Sequence, residues 1–241
     1  MLFALRENHL SLVDKGIRRI MGAFDTDGDR RPETLLGQRF DPVNFFGRSI
    51  RKMVLENGRL ALAPNPLALP MGFTVIGGTL ADLTGSGALE TIYVKNGVLH
   101  IHEGRQLFYR TSKSVGGSLS RLTYDIDPTA KTPKSTTAVF EIAPDVADLD
   151  HDGRPELLAA ASQQSQVTIP SVGAGIDQPR MAVFRYRNGR FEMGNLGHAL
   201  EGSVQGLTMH GNQVYFVVSN PGSELKADGR SHLLAYVLAE P

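Results

Sequence analysis

The stretch "DVADLDHDGRPELLAAA", Asp145 to Ala161, places an aspartate at every second position from Asp148 and then a glycine and a glutamate. A loop of this kind either folds its carboxylates around a cation or makes a polar turn before a helix. Taken alone, the part from Pro155 onwards favours a helix, because leucine and alanine have high helix propensity and proline is accepted at the first helical position. Related stretches elsewhere in the chain decide between these alternatives.

Three other segments repeat this pattern. The segment 21–40, "MGAFDTDGDRRPETLLGQRF", aligns all four acids and the proline, whereas 77–94, "GGTLADLTGSGALETIYV", keeps only the first and last acid. A fainter copy, 203–220, retains the apolar runs on either side of a shortened loop. The copies begin roughly 55 to 65 residues apart, a spacing that suits propeller blades with loop insertions. Because "ETIYV" is β-branched and aromatic, the equivalent segment after Pro155 is predicted to be a strand.

The sequence therefore predicts an all-β fold, a β-propeller of four-stranded antiparallel blades. Each blade combines an inner strand rich in small residues, the acidic loop, a second strand and an outer hairpin that turns at Asn-Gly or Glu-Gly. We expect one domain spanning 1–241, with about four and a half to five blades, divided approximately into 1–14, 16–65, 72–113, 139–197 and 201–241. Segments 123–136 and 162–180 match no strand and are predicted to be exposed insertions.

Two interpretations of the chain ends stay open. The N-terminal "LFALRENHLSLV" resembles an outer hairpin without an inner strand, and "SHLLAYVLAEP" resembles a third strand without a fourth. The chain is then either the C-terminal part of a longer propeller, whose N-terminal part would be its partner, or a small closed five-bladed ring. In the second case the hairpin completes the last blade and removes the exposed strand edges.

The motif D-x-D-x-D-G-x-x-D/E occurs in full as "DLDHDGRPE", 148–156, and nearly so as "DTDGDRRPE", 25–33. With these copies the chain resembles the FG-GAP or VCBS-type repeat, the blade of integrin-α-like and many bacterial secreted β-propellers. The resemblance implies calcium-binding loops, a role as a binding or adhesion platform, and a secreted or cell-envelope location. The chain itself shows no signal peptide.

Calcium takes oxygen ligands, and an alternating aspartate loop can supply three carboxylates and a carbonyl. The predicted ligands of the tighter site are Asp148, Asp150, Asp152, the carbonyl of Arg154, and Glu156. Those of a weaker site are Asp25, Asp27, Asp29, the carbonyl of Arg31, and Glu33. We expect the weaker binding because Arg30 stands where the other copy has Gly153, and a left-handed non-glycine residue costs about 1 kcal/mol.

The loop at Asp82 is predicted to hold no calcium and to be closed by hydrogen bonds from Thr84 and Ser86. A plain polar turn is the alternative for the two acidic loops. Four clustered carboxylates without a cation would, however, repel one another.

The composition of the chain limits the classes of partner and chemistry that are possible. Equal numbers of basic and acidic residues, 25 of each, argue against nucleic acid as a partner. No stretch is long and apolar enough for membrane insertion, and the absence of cysteine excludes a thiolate nucleophile.

The leading hypothesis is a non-catalytic, calcium-stabilised propeller that binds a protein or glycan through its blade loops. The alternative is a propeller-fold carbohydrate-active enzyme, a polysaccharide lyase or hydrolase, or a fragment of one. Its candidate residues on the inner strands would be Asp145, Arg18 and Arg19. His100 and His102 share one face of a strand and are predicted to be structural.

Overall fold

The computed structural model describes residues 2–29, 31–112, 115, 121–127, 129–132, 134–161, 179–198, 200, 203–220 and 230–237. In these ranges the chain forms strands and no helix. Four antiparallel sheets lie in a ring, the arrangement of a four-bladed β-propeller. The predicted fold class is confirmed, with four blades where four and a half to five were expected.

Within each blade the strands pair in chain order. Blade 1 consists of β3 (Arg19–Phe24), β4 (Thr34–Asp41), β5 (Phe45–Glu56) and β6 (Arg59–Ala63). Blade 2 consists of β7 (Gly78–Ala81), β8 (Glu90–Lys95), β9 (Val98–Glu103) and β10 (Gln106–Arg110). Blade 3 consists of β13 (Asp145–Ala147), β14 (Glu156–Ala161), β15 (Arg180–Arg187) and β16 (Arg190–Leu196). In blade 4 the described residues form three strands, β17 (Ser203–His210), β18 (Gln213–Asn220) and β19 (Arg230–Val237).

Strand β14 confirms the prediction made from the repeated segments, which was a strand, over the helix that local propensity favours. Its residues are buried on both faces, with Leu157 and Ala159 in a cluster shared with blade 2 and Leu158 and Ala160 in one shared with blade 4. A strand covered on both faces has no polar face, so its sequence does not alternate. This explains why "ELLAAA" looks helical when taken alone.

The core lies between successive blades. Separate apolar clusters join blade 1 to blade 2, blade 2 to blade 3 and blade 3 to blade 4. The inner strands approach their neighbours so closely that a Cβ atom at Gly22 would lie 2.3 Å from the carbonyl oxygen of Val75. Glycine is therefore required there, as expected for strands that crowd around a central axis.

The N-terminal hairpin, β1 (Leu2–Arg6) and β2 (His9–Asp14), is a two-stranded sheet beside blade 1. Strand β2 contacts β6, and the Leu60 N–H donates a hydrogen bond of 2.8 Å to Asp14 Oδ2. Among the described residues the hairpin does not pair with blade 4. Of the two interpretations of the chain ends, the one in which this hairpin completes the last blade of a five-bladed ring is therefore wrong for the described residues.

A second hairpin corrects the prediction that 123–136 matches no strand. Residues Arg121–Asp125 and Ser135–Val139 form the antiparallel strands β11 and β12. Aromatic contacts hold the hairpin against the turn between β4 and β5, with the Tyr124 and Phe45 ring centroids 5.9 Å apart and those of Phe45 and Phe140 5.0 Å apart. These partners are distant in sequence, so local composition could not reveal them. Of the second predicted insertion, residues 162–178 lie outside the described residues.

Candidate functional site

Three loops occupy the same place in successive blades, between the first and second strand. We name them loop 1 (25–33), loop 2 (82–90) and loop 3 (148–156). Equivalent loops of a propeller lie on the same end of the ring. Loops 2 and 3 are close neighbours, since a Cβ atom at Gly85 would lie 3.8 Å from Arg154 Nε.

Loop 1 gathers its four predicted carboxylates. Asp25, Asp27, Asp29 and Glu33 each offer an oxygen within 4.8 Å of the others. The loop turns tightly, because Asp25 Oδ1 accepts hydrogen bonds from the N–H groups of Asp27 at 3.1 Å and Gly28 at 2.7 Å. Gly28 has a φ of 83°, a left-handed conformation that glycine adopts readily.

Hydrogen bonds stabilise the charged form of Glu33. Its Oε1 accepts from the Thr26 hydroxyl, from the Thr26 N–H at 2.9 Å and from the Thr34 hydroxyl at 3.1 Å. These bonds, that of the Thr26 hydroxyl above all, hold the pKa of Glu33 below its usual value. Loop 1 is therefore a set of mostly exposed acids, the last of which is stabilised in its charged form by hydrogen bonds.

Loop 3 gathers three of its four predicted carboxylates, Asp148, Asp150 and Asp152. Its turn is wider than that of loop 1, because Asp148 accepts from the N–H groups of Asp152 at 3.1 Å and Gly153 at 3.0 Å. Gly153 has a φ of 85° and supplies the left-handed residue that this turn requires.

Glu156 lies outside the cluster of three because two other groups hold it. Its Oε2 accepts from the Leu149 N–H at 2.7 Å, and its Oε1 lies 3.1 Å from Arg185 Nε. Burial raises the pKa of Glu156, with the Asp150 carboxylate adding to the effect and Arg185 opposing it.

Two arginines of β15 that were not among the predicted site residues contact loop 3. Arg187 Nη2 donates to Asp150 Oδ2 at 3.0 Å, and Arg185 Nη2 lies 3.3 Å from the same oxygen. The other oxygen of Asp150, Oδ1, is buried without a hydrogen-bond partner. The alternation in "MAVFRYR" places both arginines on one face of β15 and was the available signal, but the sequence did not show that this face meets loop 3.

Arg31 and Arg154, whose carbonyls are the predicted ligands, donate equivalent backbone hydrogen bonds in the two acidic loops. The Arg31 N–H donates to Asp29 Oδ1 at 2.7 Å, and the Arg154 N–H donates to Asp152 Oδ1 at 2.9 Å. The last part of both loops therefore turns in the same way.

Loop 2 is closed by its own hydroxyl groups, as predicted. Thr84 Oγ1 donates to Glu90 Oε1 at 2.7 Å and lies 3.1 Å from Ser86 Oγ, while the Leu83 N–H donates to Glu90 Oε2 at 2.7 Å. Glu90 is only 2% exposed, and burial raises its pKa. Asp82 accepts from the N–H groups of Ser86 at 3.0 Å and Gly87 at 2.8 Å, so loop 2 has the turn of loop 3 with hydroxyl groups in place of two carboxylates.

Two of the candidate residues of the enzyme alternative, Asp145 and Arg19, are engaged in hydrogen bonds within the fold. Asp145 Oδ2 accepts from the Thr208 hydroxyl at 3.1 Å and from the Met209 N–H at 2.8 Å, which ties blade 3 to blade 4. Arg19 donates to the Gly37 carbonyl at 3.3 Å, and Arg18 is exposed. His100 stacks on Tyr93 with ring centroids 5.0 Å apart, and His102 Nε2 lies 3.3 Å from the Tyr93 hydroxyl.

Comparison of the chain with protein-family models, curated protein sequences and solved structures gave no match in any of the three. The resemblance to FG-GAP and VCBS-type repeats therefore depends on the repeated motif alone. Within the described ranges, no helix is long and apolar enough to cross a membrane.

Proposed function

We propose that the chain is a non-catalytic β-propeller that binds calcium in loops 1 and 3 and serves as a scaffold for a protein or glycan partner. The observation that carries the proposal is the pair of acidic clusters in equivalent places, each with carboxylate oxygens within 4.8 Å of one another. Bound calcium would neutralise these charges and tie the first strand of a blade to the second.

The carboxylates of loops 1 and 3 both fit a hard cation, but the two loops differ in the number of carboxylates they offer and in their neighbouring charges. Loop 1 offers four carboxylates, and among the described ion pairs none involves Asp27, Asp29 or Glu33. Loop 3 offers three carboxylates and the buried Asp150 Oδ1, yet two arginines already contact Asp150. We therefore propose that loop 1 binds calcium more tightly, the reverse of the order that Gly153 alone predicts.

A scaffold role is favoured over catalysis because Asp145 is engaged in a contact between blades. Recognition is assigned to the blade loops, which can vary over a rigid ring. The secreted or cell-envelope location is proposed from the motif resemblance.

Calorimetry with calcium on the purified chain tests the proposal. We expect two binding events, of which Asp27→Asn removes the tighter and Asp150→Asn the weaker. Asp125→Asn is the matched control, because Asp125 is an exposed aspartate on β11 that accepts from Ser135 rather than belonging to a loop cluster. Binding that survives both loop substitutions would refute the assignment.

The catalytic alternative needs its own measurement. We expect no turnover of polysaccharides by the calcium-loaded chain. Turnover that is lost in Asp145→Asn, with the melting temperature unchanged, would overturn the scaffold role.

A further inference from the structure

Two histidines of blade 2 pack against a tyrosine at its junction with blade 1. Side chains alternate along β9, so His100 and His102 share one face of the strand and Glu103 lies on the other. The Tyr93 ring of β8 is stacked on both, with its centroid 5.0 Å from that of His100 and 5.6 Å from that of His102. The centroids of the two imidazoles are 6.3 Å apart. Three ionisable rings therefore form one cluster.

The hydrogen bonds of His102 suit a neutral ring. Its Nδ1 lies 3.4 Å from the carbonyl oxygen of Arg105, and its Nε2 lies 3.3 Å from the Tyr93 hydroxyl. A carbonyl oxygen only accepts, so Nδ1 carries the proton and Nε2 accepts from the Tyr93 O–H. The chain packs closely around this contact, since a Cβ atom at Gly72 would lie 2.6 Å from the hydroxyl oxygen.

His100 is half-buried among groups that oppose its protonation. On β9 it lies opposite Tyr93 of one neighbouring strand and Arg110 of the other. Within the described part of the chain, the charged groups that act on it are His102, Arg110 and Lys95. Burial above all, and then these three groups, lower the pKa of His100. A proton added to His100 would place a third positive charge beside Arg110 and Lys95.

The histidine cluster adjoins the connector, residues 64–77, which joins blade 1 to blade 2. The connector places Phe73 and Val75 in the apolar cluster between these blades, and Tyr93 belongs to the same cluster. The rings of Phe73 and Tyr93 meet edge to face with centroids 6.4 Å apart. The Val75 N–H donates to Gln38 Oε1 of blade 1 at 3.1 Å. Tyr93 therefore links the two histidines to the contact between the blades.

This contact offers no acid that would stabilise an added proton. The connector, "PNPLALPMGFTVIG", contains no charged residue. The side chains that blade 1 contributes to the apolar cluster are Ile20, Phe24, Leu36 and Ile50. A charge that is taken out of water without a partner is costly. The closed junction therefore favours a neutral His100.

We propose that neutral His100 holds the connector against blade 2 and that its protonation releases the connector, so that the junction of blades 1 and 2 is an acid-sensitive switch. A histidine whose pKa is lowered by folding binds more protons in the open form. The closed form is therefore fully stable above the usual histidine pKa of about 6.5 and loses stability as pH falls below it. The inference depends neither on calcium binding nor on the scaffold role.

Hydrogen exchange of the Phe73 and Val75 amides tests the release, because both form hydrogen bonds within the junction. His100→Phe keeps an aromatic ring on Tyr93 but gains no proton, and comparison at equal pH cancels the change in intrinsic exchange rate. We expect the wild type to exchange faster than this variant by up to about tenfold for each pH unit below about 6.5. His210→Gln, at an exposed position of blade 4, is the matched control and should exchange like the wild type.

Amides of β18 in blade 4 show whether the opening is local. Acceleration of the Phe216 and Val218 amides equal to that of the connector would mean general unfolding and would overturn the proposal. The same pH dependence in the wild type and in His100→Phe would overturn it as well. Titration of the His100 ring by NMR in the wild type is independent of any variant. A pKa at or above the usual histidine value, as a cation–π contact with Tyr93 would produce, would contradict the switch.

Discussion

Loops 1 and 3 share the spacing of four acids and a proline, yet they differ in their turn and in their neighbours. Asp25 accepts hydrogen bonds from the residues two and three positions ahead, whereas Asp148 accepts from those four and five positions ahead. The positions of glycine account for the difference. Loop 1 has Gly28 at its fourth position, and loop 3 has Gly153 at its sixth. The same acidic motif therefore supports two different turns.

The neighbouring hairpins add a difference in charge. Before the Asn-Gly turn of its outer hairpin, blade 3 has Arg187 where blade 1 has Glu56. Arg187 and Arg185 partly neutralise loop 3, whereas Asp27, Asp29 and Glu33 of loop 1 take part in none of the described ion pairs. The motif therefore sets which carboxylates are available, and the adjoining strand sets how much of their charge is neutralised within the chain.

The largest expected effect is the loss of stability when calcium is removed. An ion present at about one hundred times its dissociation constant adds about 2.7 kcal/mol to the free energy of unfolding if it binds only the folded state. For a chain of this size that corresponds to a melting temperature higher by about 5 to 10 °C per site. We expect calcium to raise the melting temperature of the wild type relative to chelator.

The loop variants make this prediction specific. Asp27→Asn should remove more of the calcium-dependent increase in melting temperature than Asp150→Asn does, and Asp125→Asn should remove none. Identical melting curves with calcium and with chelator would show that neither loop is a calcium site. A larger loss in Asp150→Asn would restore the order expected from Gly153.

Much of the fold was predictable because the information was repeated. Three copies of the loop and its following strand outweighed the helical appearance of residues 156–161, and β14 is a strand. Hairpin β11–β12 was missed because it packs through Tyr124 against Phe40 and Phe45, which are distant in sequence and meet it only after folding. The contacts of Arg185 and Arg187 were missed for the same reason. Motif spacing identifies groups along the chain, but it does not show which groups of another strand face them.

The next expected effect concerns the two arginines of β15 that contact loop 3. In an Asp27→Asn background, where loop 1 is disabled, Arg187→Gln should tighten calcium binding at loop 3. The Arg187 side chain is 49% exposed, so its repulsion of the ion costs on the order of 1 kcal/mol, or about fivefold in dissociation constant. Calorimetry measures the change directly.

Arg190→Gln provides the matched control for the arginine substitution. Arg190 pairs with Glu192 on the same hairpin, with Nη2 to Oε1 at 2.9 Å. We expect it to leave the dissociation constant unchanged. Weaker binding in the Arg187→Gln chain would instead mean that the arginine organises loop 3 for the ion.

The smallest expected effect lies in loop 2, the hydroxyl-rich counterpart of the other two. Burial holds the pKa of Glu90 above its unfolded value, so the folded state binds more protons and stability falls as pH rises through the folded pKa. Glu90→Gln does not titrate, and its amide can keep contacts with Leu83 and Thr84. In urea unfolding from about pH 4 to 8, the variant should gain stability relative to the wild type as pH rises, whereas the exposed Glu192→Gln should follow the wild type. If the free energy of unfolding changed with pH in the same way for all three chains, burial would not disfavour the charged form of Glu90. Loop 2 would then differ from loops 1 and 3 only in its hydrogen bonding.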